Sequence, residues 1–125
     1  MNLRPTLIAL AALPLLGACA TVPAEAGSVR LGQTASVGPL RVTPLRVLED
    51  SRCPMEARCV WAGQVRLQVR VVHAGHRAVH EVVSNKPLAL AGGNLELAGV
   101  MPPTSVQRKI APRDYRFTLR FERAQ

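Results

Sequence analysis

The chain has 125 residues, 48% of them hydrophobic and only 3% aromatic, with 16 Lys and Arg against 8 Asp and Glu and a formal net charge of +8. That length holds one domain with a modest core. The basic balance suggests attraction to anionic surfaces such as lipid head groups or lipopolysaccharide. The accompanying bias to Arg, Ala, Gly, Val and Leu is also that of GC-rich genomes, where Arg is the default solvated residue and implies no partner.

Residues 1–18 read as a secretory signal peptide. Arg4 and the amine of Met1 make a basic start, and Leu7 to Leu16 carry no charge. The run is too short to span a bilayer as a stable helix. Its exit, Leu16-Gly17-Ala18-Cys19, resembles the lipobox of bacterial lipoproteins. The resemblance implies that the Cys19 thiol carries lipid, that the chain is cut before it, and that the new amine is acylated. Ala18-Cys19-Ala20 also fits the A-x-A rule of an ordinary signal-peptidase site, where cleavage after Ala20 would release a soluble protein. Two points favour lipidation: the position of Cys19 at the end of the apolar run, and the two remaining cysteines, which pair without it. Residues 19–28 then form the lipidated N-terminus and a short tether with Pro23 and Gly27, reaching about 15–20 Å from the membrane. Ala20, where an Asp would retain the protein at the inner membrane, favours the outer membrane and a periplasm-facing domain. Without Arg4 the mature chain keeps 15 basic residues, of which only Lys86 and Lys109 are lysine, against 8 acidic ones.

From residue 29 to 125 the chain reads as strands. Val29 to Val37 and Leu40 to Leu48 are expected strands, the second interrupted at Pro44, which favours an edge or a bulge. Val65, Leu67, Val69 and Val71 alternate with Gln64, Arg66, Gln68 and Arg70, the pattern of a half-buried strand. Ala78 to Ser84, Leu88 to Leu90 and Leu95 to Met101 are shorter β-like runs. Tyr115, Phe117, Leu119 and Phe121 alternate with Arg116, Thr118, Arg120 and Glu122 in a second strong strand. Gly38-Pro39, Ala74-Gly75, Asn85-Lys86-Pro87, Gly92-Gly93-Asn94 and Pro102-Pro103 supply the turns. The fold class that follows is all-β: a small antiparallel β-sandwich or barrel of about six to eight strands with one disulfide-closed loop.

That loop is Cys53-Pro54-Met55-Glu56-Ala57-Arg58-Cys59. An oxidising compartment joins two cysteines so placed, with a loop-closure contribution of about 2–2.5 kcal/mol. Zinc would need two more ligands, and the spacing is not that of a zinc finger. Cys59, Trp61, Gly63 and Val65 share one parity, which predicts Trp61 on the buried face, packed over the sulfurs. Asp50 or Ser51 is placed to bond turn amides at the start of the loop. Asp50-Ser51-Arg52-Cys53-Pro54 followed by Cys59-Val60-Trp61-Ala62-Gly63 resembles a group of small uncharacterised bacterial lipoproteins and secreted proteins that share a D-S-R-C-P…C-x-W-A-G core. Asp114-Tyr115-Arg116 resembles their later Asp-Tyr-Arg before a final strand. The resemblance covers about Leu40 to Phe121. It implies the domain boundaries and the disulfide, and no mechanism.

The remaining residues offer little chemistry. His73 and His76 bracket Ala74-Gly75 and would face each other across a hairpin, but His80 lies about 13 Å beyond His76 along a strand. Exposed hairpin histidines are therefore favoured over a metal site. Ser51, Ser84 and Ser105 lie near turns without a nucleophile elbow, and both loop cysteines are oxidised, so no enzyme and no cofactor are expected. No nucleic-acid role fits an exported chain whose aromatic residues all have core positions, leaving none to stack on bases. Arg66, Arg70, Arg116 and Arg120 each stand opposite an apolar parity and are expected on solvent-facing sides of strands. On neighbouring strands they would form one basic stripe for anionic envelope components. The expected function is that of a lipid-anchored envelope protein that binds or supports. The alternative is a protease inhibitor presenting the 53–59 loop with Arg58.

Overall fold

The computed structural model describes Gly17 and residues 28–125. Seven strands follow in chain order: β1 (Ala35–Val37), β2 (Leu40–Asp50), β3 (Val65–His73), β4 (His76–Val83), β5 (Leu88–Leu90), β6 (Gly93–Met101) and β7 (Arg116–Arg123). A single 3-10 turn, Pro112–Asp114, precedes β7. The strands form two antiparallel sheets, β1-β2-β3-β4 and β5-β6-β7, packed as a sandwich. Each sheet is built from one contiguous stretch of chain, so the all-β expectation is met by two successive meanders.

Period-two patterning explains the core. Along β3, Val65, Leu67, Val69 and Val71 are buried while the residues between them are half-exposed. From the facing sheet come Leu95, Leu97, Phe117 and Leu119, with Tyr115 just ahead of β7. The Tyr115 and Phe117 rings stack at 5.5 Å between centroids. Among the described residues the core contains no buried polar or charged side chain, so burial of apolar area is its main source of cohesion.

Bulges reset the alternation where the sequence alone is ambiguous. In β2 the register shifts after Pro44 and again after Val47, so Val42, Pro44, Val47 and Asp50 stand opposite Val71, Val69, Leu67 and Val65. One bulge would turn Asp50 outward; the second returns it to the inner face. The expected interruption at Pro44 is thus a bulge. In β6 a shift between Leu97 and Gly99 likewise brings Val100 opposite Phe117.

The first expected strand is corrected. Val29 to Val37 is not continuous, because Gly32 takes a positive φ of 83° and turns the chain. Val29 instead pairs with Phe117 on the free edge of β7, donating its N–H to the Phe117 carbonyl at 2.9 Å and accepting the Phe117 N–H at 2.8 Å. Only residues 35–37 join β2 as β1.

The long β2–β3 connection is pinned at its base. Ser51 and Gln64 exchange backbone and hydroxyl hydrogen bonds, and the Cys53 N–H reaches the Ala62 carbonyl. Gly63, with φ of 70°, lies so close to Ser51 that a Cβ would overlap the Ser51 carbonyl oxygen. Only glycine satisfies both the backbone angle and the approach. Gly63→Ala should therefore destabilise the domain by at least about 2 kcal/mol in denaturant titration, without losing the disulfide.

Candidate functional site

One end of the sandwich carries two long loops, 51–64 and 102–115, fastened to each other and to both sheets. At their base stands Asp50, whose side chain is 10% exposed. Arg52 donates to both its oxygens, Nε to Oδ1 and Nη2 to Oδ2, each at 2.8 Å, and Nη1 donates to the Val100 carbonyl on β6 at 2.9 Å. The Tyr115 hydroxyl donates to Asp50 Oδ2 at 2.8 Å. Residues from β2, the start of loop 51–64, β6 and the approach to β7 thus meet at one carboxylate.

Burial pushes the Asp50 carboxyl up, but the hydrogen bonds from Arg52 and Tyr115 outweigh it and hold it below the usual carboxylate range. Desolvation, then the hydrogen bond to the Asp50 carboxylate, pushes the Tyr115 phenol up to about 12. The Asp50 carboxylate in turn raises the Arg52 guanidinium, so the pair is charged across the ordinary pH range.

Further out, Cys53 and Cys59 are joined, with their Cα atoms 5.8 Å apart. The Met55 N–H donates to the Thr104 carbonyl at 3.0 Å, and the Thr104 hydroxyl to the Arg52 carbonyl at 3.1 Å. Glu56 accepts from the Ser105 hydroxyl and the Val106 N–H, which lowers its carboxyl. Between the loops runs a cleft of about 420 Å3 whose walls include Met55, Glu56, Pro103, Arg108 and Ile110. It adjoins a hollow of about 330 Å3 over Arg52, Lys109 and Tyr115.

Trp61 is a correction. It is 82% exposed and does not cover the sulfurs, because Gly63 breaks the chain before β3 and parity cannot be carried back from Val65 to Cys59. Val60 at 93%, Met55 at 66% and Val106 at 67% are exposed with it, on the same two loops. Sequence reasoning missed this apolar tip by reading Trp61 as core. It also missed the Asp50–Arg52–Tyr115 cluster, although the D-S-R-C-P and Asp-Tyr-Arg motifs contain all three residues. Both residues expected to bond turn amides do so: the Ser51 hydroxyl accepts the Gln64 N–H at 3.1 Å, and Asp50 Oδ1 accepts the Arg52 N–H at 3.5 Å.

The single basic stripe is a second correction. Arg66 and Arg70 lie on the outer face of the four-stranded sheet, and Arg116 and Arg120 on β7 of the other sheet, so the two pairs are not neighbours. Arg66 also pairs with Glu81 and Glu49, and Arg120 with Glu96. Arg116 donates to the carbonyls of Arg113 and Tyr115. His73 and His76 do face each other at the β3–β4 hairpin, with Ala74 and Gly75 at positive φ, while His80 stands opposite Val69. Among the described residues no group of three or more His, Cys, Asp or Glu converges on one point. Cys19 lies outside the described residues.

Compared with protein-family models, curated proteins and solved structures, the chain matches none.

The Asp50 cluster makes stability pH-dependent in two windows. The lowered Asp50 value contributes stability that is present above the unfolded carboxylate range near pH 4 and is lost as pH falls through the folded value. The raised Tyr115 value contributes stability that is present below about pH 10, the unfolded phenol value, and is lost as pH rises through about 12. Tyr115→Phe should cost about 1–2 kcal/mol at neutral pH and flatten the alkaline limb. Thermal melts of both proteins from pH 3 to 12 check this.

Proposed function

We propose that this chain is a lipid-anchored protein of the bacterial cell envelope, held through lipid on Cys19 and facing the periplasm, and that it acts by binding rather than by catalysis. The observation that carries the binding reading is the braced apolar tip. Trp61, Val60, Met55 and Val106 project into solvent from loops fixed by the disulfide, the Glu56 bonds and the Asp50 cluster. Large apolar side chains held out in water on a fixed support are the mark of a contact surface, with tryptophan the commonest anchor.

The same loops expose Arg58, Arg108 and Lys109. Exposed apolar and basic side chains on the same pair of loops suit an anionic amphiphile: acyl or ring surface meets Trp61, and phosphate or carboxylate meets the cations. This moves the expected contact with anionic envelope components from the sheet faces to the loop end. The inhibitor reading has less support. Residues 54–57 close in a turn, with the Ala57 N–H on the Pro54 carbonyl, and bend the chain ahead of Arg58. A protease cleft that captures its ligand by strand addition needs an extended segment there.

Two measurements test the proposal. The intact mass of the membrane-extracted protein should show an acylated chain beginning at Cys19, and Cys19→Ser should free the protein from membranes. A mature chain starting after Ala20 with no acyl mass removes the anchor. The second uses the chain from residue 20 onward, which carries neither the signal run nor acyl groups. Trp61 is the sole tryptophan, so its emission reports the tip directly. With vesicles rich in phosphatidylglycerol the emission should shift to the blue at low salt. Arg58→Glu and 0.5 M salt should weaken that shift, because surface charges are screened within about 8 Å at physiological ionic strength and closer still at higher salt. An unshifted spectrum at low salt overturns the amphiphile reading.

A further inference from the structure

We infer that β4 is a dimerisation edge, on which a second copy of this chain adds its own β4 in antiparallel register centred on Val79. Within its sheet the strand pairs only with β3; its other side is met by Lys86 at Val83, the last residue, and is open along the seven residues before it. The remaining sheet edges are short or capped. β1 and β5 have three residues each, and β7 is met at Phe117 by Val29. β4 runs for eight residues, His76–Val83, without register shift, proline or lysine. Bulges, prolines and charged side chains, lysine above all, are the usual devices that keep an edge from recruiting another strand; β4 has no bulge, proline or lysine, and its two charged residues, Arg77 and Glu81, are of opposite sign.

The hydrogen-bond phase of the strand follows from its hairpin. The two-residue Ala74-Gly75 turn makes His73 and His76 a directly bonded pair. Alternation then commits the backbones of Ala78, His80 and Val82 to β3 and directs those of Arg77, Val79 and Glu81 outward. Two bonds just past the strand fix the same phase. The Ser84 N–H donates to Val65 of β3, while the Val83 carbonyl faces away and accepts the Lys86 N–H.

The outward positions are complementary to themselves. With Val79 on a two-fold axis, Arg77 of each copy stands opposite Glu81 of the other, and the two Val79 side chains meet. Arg77, Val79 and Glu81 are all exposed, Val79 at 54%. Each cross-strand pair then joins opposite charges on the outer face, Arg77 of one copy adding to the Arg66 that Glu81 already accepts from within its own chain, and the apolar residue lies at the centre, where it is most fully covered. The contact is isologous and closed, so it ends at two copies and does not propagate into a fibre. A partner of any other sequence would have to supply the same charge order in reverse. This strand supplies it to itself, which is why a second copy is the occupant.

The test uses the full chain, solubilised with a large excess of detergent micelles and followed by sedimentation velocity across protein concentration. A dimer is expected. Val79→Lys places two like charges on the axis, and Arg77→Glu sets glutamates opposite each other. Each should raise the dissociation constant at least about tenfold. Glu81→Lys should do the same by opposing Arg77. An equimolar mixture of Arg77→Glu and Glu81→Lys chains restores opposite charges at both positions and should recover the dimer, which also shows that both variants are folded. A wild type that stays monomeric overturns the inference. So does a dimer insensitive to Val79→Lys and Arg77→Glu, or a mixture of the two charge variants that remains monomeric while circular dichroism shows both folded.

Discussion

A single carboxylate, Asp50, ties the two sheets together at one end. The core between the sheets is apolar contact, which is strong but non-directional and does not fix where two long loops stand. Asp50 supplies the direction. It holds Arg52 in a forked pair, receives the Tyr115 hydroxyl from the approach to the last strand, and through Arg52 reaches the Val100 carbonyl on β6. A charged pair with so little solvent contact is stable only because every contact is made at good geometry; removing one partner would strand the other. The disulfide, the Glu56 bonds and the clefts are all built outward from that base.

The sequence is most legible where one face of a strand is buried without interruption. β3 and β7 alternate cleanly, and their inward residues are the core. β2 is harder because two bulges put Val42, Pro44, Val47 and Asp50 on one face, a spacing that matches neither period two nor a helix. Trp61 misleads for a related reason. Parity holds only while the backbone stays extended, and Gly63 at φ 70° ends that two residues after the tryptophan. The arginine stripe depended on which strands are neighbours, which local pattern does not contain. Arg66 and Arg116 are each placed correctly for solvent on their own strands, yet they belong to different sheets.

The Asp50 cluster shows a different limit. Its three members lie in the motifs the sequence offers, but Asp50 and Tyr115 are 65 positions apart. A solvated acid next to an arginine reads as a turn, and nothing local distinguishes it from one bonded to a distant tyrosine. The signal was that two short motifs far apart in the chain together hold an acid, an arginine and an aromatic hydroxyl, residue types that satisfy one another only when brought together.

The way the chain joins its last strand has a mechanical meaning. Tension entering at Ser28 meets first the Ser28–Thr118 hydroxyl pair and the two Val29–Phe117 hydrogen bonds on β7. Next in line are the Gly32 N–H on the Pro44 carbonyl and the Thr34–Thr43 hydroxyl pair, and then β1, only three residues long. Beyond it stands β2, bonded along its length to β3. Under load the domain would therefore peel from its first edge inward, giving up Val29 and β1 in small steps. Phe117 lies on β7 two residues after Tyr115, so while that first pair holds, the pull passes directly to the strand beside the Asp50 brace.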